Sequence, residues 1–173
     1  MYLKCIGALL VFISSCLLGR LQANRFAKRY SQILDFQGIV QHFETEICYT
    51  STPIMEIFHS LIPIVNPPFN KILSSILSRI ADYGYEPLSV IWEDELDQNK
   101  GFLYLKQEDL DILLYFGNVL GTTDTENQKK YFDLVKDRLH TQLTLALEDK
   151  LKYIKLYSQL GIIVGLVITI III

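Results

Sequence analysis

From Leu156 to Ile173 the chain carries no charge, reading LYSQLGIIVGLVITIIII. That is close to the ~20 residues a helix needs to cross a hydrocarbon core. On an insertion scale each central Leu, Ile or Val contributes about 0.3 to 0.6 kcal/mol, several kcal/mol together. Tyr153 and Tyr157, at helical spacing beside Lys150, Lys152 and Lys155, form the aromatic and basic belt of a membrane surface just before the run. Buried in a soluble core, a helix apolar on every side would need partner surfaces all round. A transmembrane helix at residues 156–173 is therefore expected, and the rest of the fold has to accommodate it.

A second apolar run, CIGALLVFISSCLLG, lies at residues 5–19 behind Lys4. It has the length of a short anchor or of a signal-peptide core. Within it, Ile13-Ser14-Ser15-Cys16 is similar to a lipobox, in which the cysteine is acylated and becomes the new N-terminus. Against that reading, Leu17 and Leu18 continue the run and Arg20, Arg25, Lys28 and Arg29 follow at once. Such a cluster resists translocation and outweighs Lys4, so the positive-inside rule keeps the segment after the anchor in the cytoplasm.

The formal net charge is −3 and no basic stripe stands out, which argues against nucleic acid as a partner. Only Cys48 of the three cysteines lies outside the apolar ends, so the part between them cannot form a disulfide framework. With no neighbouring histidine and no C-x-x-C, Cys48 reads as a small core residue.

Between the ends the periodicity is helical. Phe26, Tyr30, Ile33, Phe36, Val40, Phe43 and Ile47 recur every three or four positions as one stripe on a long helix. Thr52-Pro53 supplies an N-cap and a first-turn proline, with Ile54, Ile57, Phe58 and Leu61 as the buried face up to Pro63. Asn66-Pro67-Pro68 opens a helix bearing Phe69, Ile72, Leu73, Ile76, Leu77 and Ile80, closed by Gly84. Pro87 opens another with Leu88, Ile91, Trp92 and Leu96 on one side. After a loop over residues 97–105, Leu110, Leu113, Leu114 and Val119 mark a further helix.

The stretch FGNVLGTTDTENQ (116–128), with its glycines, threonines and acids, could be a phosphate loop or a corner. Gly121 suits a C-cap, and Thr123-Asp124-Thr125-Glu126 matches a capping box. A phosphate loop would need a lysine and a preceding strand, and neither is there. The corner leads into a last helix that runs through Tyr131, Leu134, Val135, Leu139, Gln142, Ala146 and Tyr153 without Gly or Pro until Gly161. The expected fold is all-α, a bundle of about six helices whose first and last long helices continue into transmembrane segments. The expected divisions are an N-terminal membrane anchor at 1–19, a helical bundle at 20–155 and a transmembrane helix at 156–173.

No catalytic order of residues is found, and His42, His59 and His140 stand on separate helices without ligand partners, so no enzyme, metal or cofactor is expected. The acidic segment is more distinctive. Residues 82–111 hold nine carboxylates against two lysines, Lys100 and Lys106. A solvated helix face explains them blandly. A docking surface for a basic partner explains them functionally, with Glu93, Asp94, Glu95, Asp97, Glu108, Asp109 and Asp111 as candidates and Trp92 as core plug or interface anchor. Gly161 and Gly165 form one G-x-x-x-G, a pattern of helix packing or homo-oligomer contact that is weak alone.

Several of these stretches together resemble the stage III sporulation protein AB family of endospore-forming bacteria. They are FETEICYTSTPIMEIF (43–58), IWEDEL around Trp92, LKQEDLDILLYFGNVLGTTDTENQ (105–128) and the Leu160-Gly161 pair. Glu44, Glu46, Tyr49, Thr52, Pro53 and Glu56 match the first motif; Phe116, Gly117, Leu120, Gly121, Asp124 and Gln128 match the third. The resemblance implies a non-enzymatic part of the channel between mother cell and forespore, in the mother-cell membrane, with a cytoplasmic bundle similar to that of the type II secretion and type IV pilus platform protein. By analogy the partners would be a secretion-type ATPase, other membrane proteins of the channel, and membrane lipid. Glu44, Tyr49, Thr52, Pro53, Gly121, Thr123, Asp124, Glu126 and Gln128 would then be helix-junction residues. Ile57 and Phe58 are larger than the family pattern, and Ser14-Ser15-Cys16 makes the first anchor more polar. A different class of reading is a lipid-anchored extracytoplasmic adaptor, acylated at Cys16, that binds other envelope proteins.

Overall fold

A computed structural model of the chain describes residues 2–82, 86–121 and 125–172. Among these residues every regular element is helical: α1 (Tyr2–Thr45), α2 (Ile54–Leu61), α3 (Phe69–Asp82), α4 (Leu88–Gln98), α5 (Gln107–Val119) and α6 (Thr125–Ile172). A π-helical turn at Glu46–Thr50 extends α1, and a 3-10 turn at Lys100–Phe102 lies in the α4–α5 loop. The all-α bundle predicted from periodicity is the fold that forms. With 44 and 48 residues, α1 and α6 are each on the order of 70 Å long. By length and composition, α6 is long and apolar enough to cross a membrane.

The chain divides into two units, Met1–Tyr30 with Thr144–Ile173, and Ser31–Leu143. The second unit is built around Phe116. Phe36, Phe43 and Trp92 approach its ring edge-on at centroid distances of 5.5, 5.5 and 5.4 Å, and Phe132 lies at 6.0 Å. Such geometries are favoured because the positive ring edge meets the negative face. Ile33, Ile39, Val40, Ile57, Leu61, Ile72, Ile91, Leu113, Val135 and Leu139 complete the core. The part of the α1 stripe from Ile33 to Phe43 and the spaced apolar sets on α2 to α5 contribute to it, because helical residues three and four apart share a face.

Two local expectations change. Pro53 occupies the N-cap position of α2 with φ −56° and ψ 141°, and no side chain caps the helix. Thr52 stands one residue before that N-cap, and its hydroxyl donates to the Glu46 carboxylate at 2.6 Å, a charge-assisted bond. The α1 stripe ends in the π-helical turn rather than in regular helix, and Ser51 closes it at φ 55°. Gly121 follows α5 at φ 72°, the left-handed conformation expected of a residue that ends a helix. Gly84, Thr123, Asp124 and the side chain of Glu126 lie outside the described residues.

Candidate functional site

α4 turns Ile91, Trp92, Glu95 and Leu96 inward and leaves Glu93, Asp94 and Asp97 exposed. α5 buries Asp109, Leu110, Ile112, Leu113 and Phe116 and exposes Glu108 and Asp111. Five of the seven predicted acids thus lie on the surface, and two do not. Glu95 is only 4 % exposed and accepts from Arg79 Nη1 at 3.4 Å. The buried carboxylate follows the apolar face of α4 because Arg79 reaches it from α3. Asp109 is fully buried, and its Oδ2 accepts the Lys106 amide at 2.8 Å, capping the first turn of α5.

The surface acids are not equivalent. Arg79 Nη2 also bonds Glu86 at 2.8 Å and Asp94 at 3.2 Å, so part of the acidity is neutralised locally. Asp111 accepts from Gln107 at 2.8 Å, and Lys100 stands 3.9 Å from Asp97. A shallow cleft of about 210 Å³ between α4 and α5 is lined by Glu93, Asp97 and Lys100 on one side and Leu110 and Leu114 on the other, with Glu93 free of the Lys100 contact. Acid beside aliphatic surface suits a lysine or arginine, whose stem packs while its head pairs.

Trp92 is a core residue. Its indole Nε1–H donates to the Leu113 carbonyl at 2.9 Å, and a Cβ at position 117 would overlap the ring. Gly117 is therefore the space in α5 into which the indole fits. A glycine inside a helical pattern is the sequence signal for such close approach.

The helix junctions gather most of the other predicted residues. Lys136 Nζ bonds both carboxylate oxygens of Glu44 at 2.7 Å, tying α1 to α6, and Asp133 at 2.9 Å. Burial alone would push the Lys136 ammonium down; Glu44 and Asp133 together outweigh it and hold it above its usual range. In the π-helical turn, the Thr50 hydroxyl lies 2.6 Å from the Glu46 carbonyl and 2.8 Å from Thr52. The Thr52 hydroxyl first, and then that of Thr50, holds the Glu46 carboxyl below the usual carboxylate range. Gln128 is buried and donates to the Val119 carbonyl at 3.0 Å, while Tyr49 is exposed with Lys129 5.7 Å above its ring. Burial pushes the Cys48 thiol up, as suits an inert residue.

In the unit formed by Met1–Tyr30 and Thr144–Ile173, α1 and α6 cross at small residues. A Cβ at Gly19 would meet the Tyr157 carbonyl at 2.6 Å and the Gly161 Cα at 3.0 Å. A Cβ at Gly165 would meet the Phe12 ring at 2.9 Å and the Ser15 Cβ at 3.3 Å. Ser15 Oγ donates to the Gly161 carbonyl at 2.9 Å. Ser15-x-x-x-Gly19 thus packs against Gly161-x-x-x-Gly165, the small-residue contact by which helices approach closely in lipid. Further along, Phe26 stacks on Tyr153 at 4.7 Å, and Arg29 pairs with Asp149 at 3.0 Å. The sequence showed only the α6 half of this crossing, because one serine and one glycine four apart in an apolar run do not stand out.

A family model described as stage III sporulation protein AB matches residues 4–173. Stage III sporulation protein AB of Bacillus subtilis (strain 168) is 26% identical over 166 residues, covering 96% of each chain. A solved structure of a stage III sporulation protein AB is 25% identical, with a TM-score of 0.65 over 71% of this chain and 96% of that one. The chain belongs to the stage III sporulation protein AB family.

Proposed function

We propose that the protein is a two-pass membrane scaffold of a secretion-like sporulation channel, in the mother-cell membrane around the forespore, with its bundle in the cytoplasm. It acts by geometry rather than by catalysis. The observation that carries this reading is the crossing of α1 and α6 at Ser15, Gly19, Gly161 and Gly165, which makes the two apolar runs a hairpin suited to lipid. Arg20, Arg25, Lys28 and Arg29 then hold the following segment on the cytoplasmic side. Maturation at Cys16 would remove Phe12 and Ser15, which pack on Gly165 and Gly161, so the hairpin favours the two-pass form over a lipoprotein.

On this reading the acidic surface of α4 and α5 receives a secretion-type ATPase through basic side chains, and the scaffold passes its motion to the other membrane proteins of the channel. Sidedness is the primary test. A single cysteine at Asn127, in an otherwise cysteine-free chain, should react with an impermeant thiol reagent only after cells are permeabilised; labelling of intact cells refutes the cytoplasmic bundle. Charge reversal of Glu93, Asp97 and Glu108 should abolish copurification of the ATPase at unchanged helicity, and undiminished copurification refutes that surface.

A further inference from the structure

We propose that the hollow between α1 and α6 beside Arg20 binds one anionic phospholipid, with its phosphate on Arg20 and an acyl chain along Leu17 and Leu21. This rests on the proposed insertion of α1. The hollow measures about 430 Å³ and lies wholly within the helix pair. Its floor is made by Ala23 and Ala27, one turn apart on α1, and Ile154 of α6 closes the opposite wall. Two alanines in succession on this line leave the groove unfilled where larger residues would close it.

Both chemistries of a phospholipid meet there. Leu17 and Leu21 are 56 and 64 % exposed, apolar surface that water leaves uncovered and a hydrocarbon chain would cover. Arg20 and Asn24 stand on the same line of α1 and bring a guanidinium and an amide, both able to donate to phosphate oxygens. Arg20 and Arg25 are exposed and carry no ion pair among the described residues. Lys28 on α1 and Lys150, Lys152 and Lys155 on α6 belong to the same unit and make it basic, against Glu148 and the Asp149 already paired with Arg29. Basic pockets between membrane helices on the cytoplasmic side attract anionic headgroups in this way. A free phosphate would use Arg20 and leave the leucine wall without a role, so the lipid is the better occupant.

The full chain, purified in mild detergent, would be titrated with phosphatidylglycerol and with phosphatidylcholine and its bound lipid counted by native mass spectrometry. One phosphatidylglycerol should saturate the site in preference to phosphatidylcholine. Arg20→Gln should weaken phosphatidylglycerol about fivefold, equivalent to the ~1 kcal/mol a basic residue contributes near an anionic surface, while Arg20→Lys retains most of it. Ala27→Leu, which fills the hollow, should lower retention of both lipids. Full phosphatidylglycerol retention by Arg20→Gln, non-saturating uptake of many lipids, or complete displacement by inorganic phosphate would each overturn the proposal. A cysteine at Leu10, probed with an impermeant maleimide in vesicles of phosphatidylglycerol and phosphatidylcholine, separates the two layers of argument. If Leu10 is labelled, the insertion of α1 fails and the lipid site with it; if Leu10 is shielded while Arg20→Gln keeps full lipid preference, the lipid site alone fails.

Discussion

Two glycines in the bundle should respond to the same substitution with opposite sign. Gly38 lies mid-helix in α1, and a Cβ there would meet nothing within 4 Å. Gly38→Ala should therefore stabilise by about 0.5 to 1 kcal/mol, the ordinary difference between glycine and alanine in a helix interior. Gly117 also lies mid-helix, in α5, but its Cβ would overlap the Trp92 indole. The ring has nowhere to retreat, since Phe116 and Phe36 hold it at 5.4 and 6.4 Å and its Nε1–H is bonded to Leu113. Overpacking of this kind costs about 1 to 3 kcal/mol. Losing the indole hydrogen bond costs about 1 kcal/mol. The gain in helix propensity offsets about 1 kcal/mol. The net for Gly117→Ala is a loss of about 1 to 3 kcal/mol, so the two variants should differ by about 1.5 to 4 kcal/mol.

Trp92 is the single tryptophan of the chain, so its fluorescence reports this contact directly. In urea titrations of the detergent-solubilised full chain, a slope of ~1 to 3 kcal/mol per molar would move the Gly117→Ala midpoint down by about 1 M. Gly38→Ala should move the midpoint up. In a Trp92→Leu background, followed by far-UV circular dichroism, Gly117→Ala should cost nothing, because the clash is gone. If Gly117→Ala raises the midpoint as Gly38→Ala does, the reasoning that seats Trp92 on Gly117 is wrong.

The helix hairpin can be tested by cross-linking. In a chain lacking its native cysteines, Ser15→Cys with Gly165→Cys should form a disulfide on mild oxidation, since the Cβ positions lie 3.3 Å apart, close to the ~3.5 to 4.5 Å of such bonds. Ser15→Cys with Val164→Cys, whose position on α6 faces outward, should not, and equal yields would refute the crossing. Glu44→Gln should destabilise by about 1 kcal/mol in the same urea titration, because among the described residues Lys136 then keeps the exposed Asp133 as its charged partner; no loss would mean the charge pairing between α1 and α6 is idle. Glu46 is held below the usual carboxylate range, so its bonds to Thr52 and Thr50 contribute stability above that range and lose it as pH falls through the lower, folded value. The midpoint difference between wild type and Glu46→Gln should hold near neutral pH and vanish under acid; a difference that persists into acid refutes the assignment.

The fold was legible because each helix carries its own signal. Apolar residues every three or four positions on α2 and α3, with prolines before them, mark elements whose faces need only local spacing to be identified. What spacing cannot show is which residue at a face meets which partner. Phe116 reads as one aromatic in a corner motif, yet four other rings from α1, α4 and α6 converge on it, and that requires knowing how the helices cross. The acidic surface shows the same limit in the opposite direction. Net charge along residues 82–111 made seven acids look alike, but the helical phase of α4 turns Glu95 inward, and the start of α5 turns Asp109 into a cap. Arg79, at the end of α3 just outside that segment, then neutralises part of what is left. A charge count reports what a segment contains, whereas docking depends on the few carboxylates that stay exposed beside apolar surface. Here those are Glu93 and Asp97 along the α4–α5 cleft, so a partner that reads this surface should depend on these two more steeply than on the acids around Arg79.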